Sequence, residues 1–245
     1  MGKLYVVGFG PGGYEHMTAK CIDVIEKADI ITGYTTYVEM LKEFFPDKTY
    51  LATPMMQEVK RCRMAVEEAM KDQTVAMVSS GDSGIYGMAG IIYQVAEEMG
   101  ADIEIETVPG VTAASAAASV LGAPLMHDFA VISLSDLMTP LDLIMKRVDC
   151  AGQSDLIVCL YNPKSKKRTG YVEQAADILM KYRSPGTPVG IVRHAGRRGE
   201  QSQITTLAEL KDAEIDMFSV VLIGNSQTYV SNGRMITPRG YNLEK

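Results

Sequence analysis

The chain contains no tryptophan, three histidines and four cysteines in 245 residues, and each scarcity removes a class of chemistry. Cys21, Cys62, Cys150 and Cys159 stand apart, with no C-x-x-C pair and no Cys/His cluster. Disulfide frameworks, structural zinc and iron–sulfur ligation therefore lack their spacing, no metal site is read, and the thiols are expected to be reduced and structural. Basic charge is also short: 24 Lys and Arg face 30 Asp and Glu, a formal net charge of −6. A general binder of nucleic acid or anionic membrane needs a dominant basic field, and there is none. No apolar run approaches the ~20 residues of a bilayer span, and the first residues lead into a strand pattern instead of a signal peptide. The expectation is a cytoplasmic protein with no nucleic-acid or membrane partner.

What is present is glycine placed after apolar runs. Leu4-Tyr5-Val6-Val7 leads into Gly8-Phe9-Gly10-Pro11-Gly12-Gly13. Val75–Val78 leads into Ser79-Ser80-Gly81-Asp82-Ser83-Gly84-Ile85-Tyr86-Gly87, and Ile103–Val108 into Pro109-Gly110-Val111-Thr112-Ala113. Each reads as a loop joining a strand to a helix, and such loops gather at one sheet edge. Glycine lets backbone groups approach a ligand with no Cβ in the way, while Asp82 and Thr112 suit loops and helix starts. For any one glycine alone, plain turn geometry is the commoner reason; three such loops in order favour a small-molecule cleft. The first loop also satisfies G-x-G-x-x-G, but a dinucleotide fold needs an acid closing its second strand. Asp29 opens that strand and Thr32-Gly33 close it, and Pro11 removes an N–H from the loop that cradles pyrophosphate. A Rossmann-type NAD(P) or FAD oxidoreductase is therefore the second reading.

With 47% hydrophobic residues, the chain can bury one large core or two smaller ones. Strand signals at Leu4–Val7, Asp29–Thr32, Thr74–Val78 and Ile103–Val108 alternate with helical patterns at Met17–Lys27, Tyr37–Phe44, Gln57–Lys71, Gly84–Met99 and Thr112–Val120. This predicts an α/β domain with a largely parallel sheet. Gly122-Ala123-Pro124 breaks the last helix. Beyond it come strand signals at Ala130–Leu134, Leu156–Tyr161, Val189–Val192 and Ser219–Ile223, helices at Pro140–Val148 and Gly170–Tyr182, and short edge strands at Thr205–Leu207 and Gly233–Ile236. Two α/β domains are expected, 1–122 and 130–245, joined by a linker over 123–129, with the ligand at their seam.

The order GFGPG, GDSGIYG, VPGVTAASAAASVLGAPLMHDF, LSD, LYNP, TPVGIV, TTL and IGN resembles the tetrapyrrole (corrin/porphyrin) methylases over essentially the whole chain. HDFAVISLSDLMTP and LYNPKSKKR resemble the branch acting at carbon 17 of precorrin-3B or cobalt-factor III on the route to cobalamin. Ser83 departs from the proline that many relatives carry after Gly-Asp. The resemblance implies the two-domain class III methyltransferase fold, each domain a mixed sheet flanked by helices. It implies methyl transfer from S-adenosylmethionine to a tetrapyrrole, with ring contraction, in a homodimer. On that reading Gly10 and Pro11 line the cleft floor, Gly81, Asp82 and Ile85 hold the methionine part, and Thr112 and Ala113 support the other side. Tyr161, Gly190, Ile191, Gly224 and Asn225 would enclose adenine.

A polycarboxylate acceptor calls for guanidinium groups in an otherwise acidic chain. Lys164, Lys166, Lys167, Arg168, Arg193, Arg197 and Arg198 form the candidate cluster, a solvated basic loop being the alternative; Arg168 and Arg193 are preferred, with Ser133 and Ser135 orienting the substrate. Ring contraction moves protons, and His127 beside Asp128 is the first choice of acid or base, with Asp136 the alternate. A hinge histidine bonded to Asp128 for structural reasons stays open. Tyr34, Tyr37, Met40, Leu41, Phe44 and Phe45 offer a dimer surface, with core packing as the competing reading.

Overall fold

A computed structural model describes residues 2–242 and divides into two compact units, Met1–Ala113 and Ala114–Lys245. The first unit runs β1 (Lys3–Gly8), α1 (Ala19–Lys27), β2 (Ile30–Tyr34), α2 (Thr35–Lys42), β3 (Thr49–Thr53), α3 (Glu58–Ala69), β4 (Thr74–Ser79), α4 (Ala89–Glu98) and β5 (Glu104–Val108). Its strands form one sheet in the order β3-β2-β4-β1-β5 with every pairing parallel. Alternate residues of each strand supply the two faces. Val7, Ile31, Ala76, Val78 and Val108 pack on α1 and α2, and Leu4, Val6, Val75 and Met77 pack on α3 and α4. β1 and β4 are central and buried on both faces, which accounts for their near-continuous apolar sequences. The Thr18 hydroxyl accepts the Cys21 N–H at 3.1 Å and caps α1, a contribution of about 1 kcal/mol.

Leu41 and Phe45 lie in this core, and Tyr37, Met40 and Phe44 pack against it. The aromatic group read as a dimer surface is therefore engaged largely within its own unit, through edge contacts such as Phe9–Tyr37 and Tyr34–Tyr37.

The second unit contains α5 (Ala113–Leu121), β6 (Gly122–Ala123), β7 (Phe129–Ser133), α6 (Leu141–Gln153), β8 (Ile157–Tyr161), α7 (Tyr171–Leu179), β9 (Pro188–Arg193), β10 (Gln201–Thr206), β11 (Ser219–Ile223), β12 (Tyr229–Ser231) and β13 (Arg234–Ile236). Its main sheet has the order β10-β9-β11-β8-β7, in which only β7 and β8 are parallel neighbours. Val158, Leu160, Val189, Ile191, Val221 and Ile223 form one apolar layer with Ile144, Val148, Val172 and Leu179 of α6 and α7. α5 belongs here because Ala114 N–H donates to the Tyr161 hydroxyl at 2.6 Å and Arg234 bonds the Val120 carbonyl at 3.2 Å. Gly122-Ala123, read as the start of a linker, is instead a strand paired in parallel with β13.

Arg183 pins the amino-terminal end of β8 to the end of β11. Its buried guanidinium donates to the carbonyls of Gly224 at 2.6 Å, Ala151 at 3.4 Å and Leu156. Burial pushes its pKa down, and Asp155, 3.9 Å away, opposes that shift. Among the described residues no helix is long and apolar enough to cross a membrane, and no His/Cys/Asp/Glu cluster could hold a metal ion.

Candidate active site

The sheet order of the first unit makes β4, β1 and β5 neighbours, so the three glycine loops leave adjacent strands at one carboxyl edge. That edge is where open parallel sheets place their ligands. The loops are bonded to one another. Gly10 N–H donates to Gly81 O at 3.0 Å and Gly81 N–H to Gly10 O at 2.7 Å. Both residues have φ in the left-handed region, +80° and +73°, where a side chain is strained. A Cβ on Gly110 would stand 2.2 Å from Gly81 O and 2.5 Å from Gly8 O, so the third loop can approach the other two only as glycine. Asp82 joins them: Oδ1 accepts N–H bonds from Gly84 (2.8 Å) and Ile85 (3.1 Å), and Oδ2 accepts the Gly110 N–H at 3.0 Å. The Ser83 hydroxyl donates to Val108 O at 3.3 Å, so the residue that replaces proline adds its own tie to β5. These bonds hold residues 83–88 as a loop, and α4 begins at Ala89 instead of Gly84.

The same order removes the dinucleotide reading. In that fold the second strand lies beside the first and its closing acid reaches the ribose. Here β4 lies between β1 and β2, and β2 ends on Tyr34.

In the second unit β7, β8 and β9 share a direction and send their loops to one edge. Ser133, Ser135, Asp136, Tyr161, Arg168 and Arg193 belong to that side. Arg168 is a strut, donating to Leu134 O at 2.8 Å and Asn162 O at 3.1 Å with Nε 3.6 Å from Asp136. Asp136 Oδ2 accepts the Tyr171 hydroxyl at 2.8 Å, and this bond raises the Tyr171 pKa. Ser133 Oγ accepts from Asn162 Nδ2 and from the Ser135 N–H. Arg193 is paired with Glu214 at 2.7 Å and with Asp216 at 3.1 Å, so its charge is matched within the chain. His127 Nδ1 accepts the Asp128 N–H at 3.0 Å, while the Asp128 carboxylate is 3.8 Å away. That bond occupies Nδ1 and leaves Nε2 as the ring nitrogen able to exchange a proton.

The residues expected around adenine divide: by register Gly190 and Ile191 lie across β11 from Cys159 and Leu160, beside Tyr161, while Gly224 and Asn225 lie apart. Gly224 and Asn225 follow β11, which runs opposite to β8, and by register they lie about 13 Å from Tyr161 along the sheet. They are structural: Gly224 O accepts Arg183, and Asn225 Oδ1 accepts the Gln227 N–H and the Thr228 hydroxyl. A Cβ at Gly190 would meet Leu121 Cδ1 at 2.3 Å, which explains that glycine by helix packing, and Ile191 lies in the core.

One arginine escaped the sequence reading. Arg61 of α3 is buried in the first unit and donates through Nη1 to Thr53 Oγ1 at 2.6 Å and Thr53 O at 3.2 Å. Its signal was phase: Arg61, Ala65 and Ala69 share the i, i+4 stripe that packs on the sheet.

Residues 3–211 match the family of tetrapyrrole (corrin/porphyrin) methylases. A probable cobalt-factor III C(17)-methyltransferase of Salmonella typhimurium is 48% identical over 240 residues, 98% of this chain and 100% of that one. The crystal structure of the methyltransferase CobJ superposes with a TM-score of 0.89 at 33% identity, covering 97% of this chain and 100% of that one. A Thermus thermophilus uroporphyrin-III C-methyltransferase, complexed with S-adenosylhomocysteine, shares the fold at a TM-score of 0.71 and 21% identity, covering 91% and 97%. The edge of bonded glycine loops is thus found in a chain whose whole length aligns with methylases of this kind: the protein belongs to the tetrapyrrole methylase family.

Proposed function

We propose that the protein transfers a methyl group from S-adenosylmethionine to carbon 17 of cobalt-factor III or precorrin-3B, with contraction of the macrocycle, in cobalamin biosynthesis. The observation that carries the donor half is the Asp82-tied edge of the first sheet, where three loops offer backbone without side chains. Gly81 is the open point of that cradle, since a Cβ there would have nothing nearer than Ala113 N at 3.8 Å. The donor brings a methyl group on a sulfonium, and displacement at that carbon needs alignment and exclusion of water more than a charged catalyst. Gly10, Pro11, Gly81, Ile85, Thr112 and Ala113 give that alignment, and Asp82 acts by fixing their loops. Tyr161, whose hydroxyl takes the Ala114 N–H, sets the start of α5 directly after Thr112-Ala113.

His127 acts as the acid or base during contraction, exchanging a proton with the acceptor through Nε2 while Nδ1 takes the Asp128 N–H and fixes the ring. Asp136 and Arg168 order the two loops after β7 and β8. A homodimer accords with the family. The functional test incubates the protein with S-adenosylmethionine and either acceptor. The expected product carries one added methyl mass and an altered visible spectrum; binding of NADH but not of S-adenosylhomocysteine would overturn the reading.

A further inference from the structure

The first unit holds a second feature at the carboxyl edge of its sheet, on the β2 side of the donor loops and sharing the Ser79–Gly87 segment with them. A pocket of about 190 Å³ opens between the ends of β2 and β4, lined by Tyr34, Met55, Glu58, Arg61, Ser79 and Tyr86 among others. It has room for a side arm and none for a macrocycle. At its floor the Arg61 side chain is only 4% exposed. Its Nη1 is fully used by Thr53 and Pro54. Among the described residues Nε has no hydrogen-bond partner, Nη2 stands a long 3.7 Å from Glu58, and the guanidinium carbon lies 6.0 Å from the centre of the Tyr34 ring. Nε and Nη2 form the side of a guanidinium that takes a carboxylate with two parallel bonds.

A second orphan stands beside it. By register Ser79 lies next to Tyr34 on the sheet face that carries α3, and its buried hydroxyl also lacks a partner. Buried polar groups left unpaired are uncommon, and two in one pocket point to something that fills it. The rim is apolar and strained. Met55 and Tyr86 line the pocket and are exposed, as are their chain neighbours Met56 and Ile85, and Met56 and Tyr86 adopt left-handed φ of 65° and 55° although neither is glycine. Such conformations cost of order 1–3 kcal/mol and collect at ligand clamps. An apolar rim over a buried cation suits a flat apolar body that carries acidic arms.

We propose that this pocket receives one peripheral carboxylate of the tetrapyrrole acceptor, held by the Nε–Nη2 side of Arg61 with Ser79, while the macrocycle lies on the Met55, Met56 and Tyr86 rim. The proposal rests on the functional reading above. It moves acceptor recognition away from Arg168 and Arg193, whose charges are matched in the chain. Among the described residues Glu58 is the only carboxylate on the pocket wall, and it competes with the arriving one for Nη2.

The test is direct binding of cobalt-factor III, in the presence of S-adenosylhomocysteine and without turnover, followed by absorbance. Arg61→Lys keeps the charge and a donor for Thr53 but loses the two-bond side. It should weaken acceptor binding ~10- to 100-fold, the size of a lost charge-assisted pair, with S-adenosylhomocysteine affinity unchanged. Glu58→Gln removes the competitor and should tighten acceptor binding severalfold, and it decides the matter if Arg61→Lys fails to fold. Acceptor affinity unchanged in a folded Arg61→Lys protein, or unchanged or weakened in Glu58→Gln, overturns the subsite and leaves Nε to a buried water. Failure of the wild-type protein to bind the acceptor at all would instead overturn the functional reading.

Discussion

In the first unit all strands run one way, so every strand-to-helix loop leaves at the same edge; in the second the strands alternate and the loops divide between two edges. That difference decides which sequence motifs meet. Gly8–Gly13, Gly81–Gly87 and Pro109–Ala113 come together because β4, β1 and β5 are neighbours. Tyr161 and Gly224-Asn225 look equally suggestive in sequence, yet an antiparallel pairing sends them to opposite ends of the sheet. The polar residues differ in the same way. Asp82 ties backbone and leaves the glycine edge bare, whereas Arg168, Asp136 and Arg193 close on one another or on neighbouring acids. On the proposed reading, His127 is the side chain of the second unit that moves a proton.

The sharpest way to break that contrast is His127→Ala. If the first unit holds the donor and His127 moves a proton, S-adenosylhomocysteine affinity should stay within error while contracted product falls ~100- to 10,000-fold, the usual loss for a general acid or base. Methylated, uncontracted material should accumulate, visible as added methyl mass without the altered chromophore. Contracted product at the wild-type rate would make the histidine a hinge residue, and Asp136 or a substrate carboxylate would become the leading proton carrier.

The glycines provide the next comparison. Gly110 and Gly190 are both forbidden a Cβ, but against different neighbours: fixed carbonyls of Gly81 and Gly8 in one case, the flexible end of Leu121 in the other. Gly110→Ala must displace backbone and so loosen the glycine edge. Gly190→Ala can be absorbed by a rotamer change at a cost of ~1–3 kcal/mol, the range for overpacking. Gly110→Ala should therefore lower donor affinity as well as the melting temperature, while Gly190→Ala should lower the melting temperature alone. Titration with S-adenosylhomocysteine beside thermal unfolding separates the two. Equal loss of donor binding in both variants would show that α5 packing, and not the glycine edge, governs the donor site.

These contrasts also show what sequence can carry. Apolar runs ending in glycine locate β1 and β4 to within a residue or so because buried parallel strands leave a strong signature, and β5, an edge strand as exposed as β3, is marked by the Pro109-Gly110 turn that follows it. β3, at the sheet edge and half exposed, was missed, and β10 was read only at its end because Gln201-Ser202-Gln203 is polar and open to solvent. Pairing direction is legible in the first unit, where alternating strands and helices predict a parallel sheet, and hidden in the second, where it depends on contacts distant in sequence. The fate of charges is hidden too. Arg193 looked available until Glu214 and Asp216, more than twenty residues on, proved to face it. Arg61, which the helical pattern over Gln57–Lys71 does not single out, is turned inward by its helix.

The smallest expected effect concerns that Arg193 pairing. Burial of Asp216 raises its pKa, but the Ser219 hydroxyl at 2.9 Å, the Phe218 N–H at 2.9 Å and Arg193 together outweigh burial and hold the carboxyl below its ordinary value. A carboxyl whose pKa is lower folded than unfolded stabilises the fold fully above its unfolded pKa, about 3.9, and loses that contribution as pH falls through the folded value. Wild type and Asp216→Asn should thus differ in unfolding midpoint by a constant amount from pH 6 to 8, and the difference should shrink below about pH 4. The effect stays small because Asp216 is one-third exposed and Arg193 keeps Glu214, itself exposed and screened. Denaturant titrations across that range read it out. A difference that persists unchanged into acid would mean that the asparagine disturbs packing around Ser219 instead of removing a charge. Arg193 would then be held mainly by Glu214 and free to release Asp216 toward an incoming ligand, which would restore to the second unit the acceptor role that its internal pairing takes away.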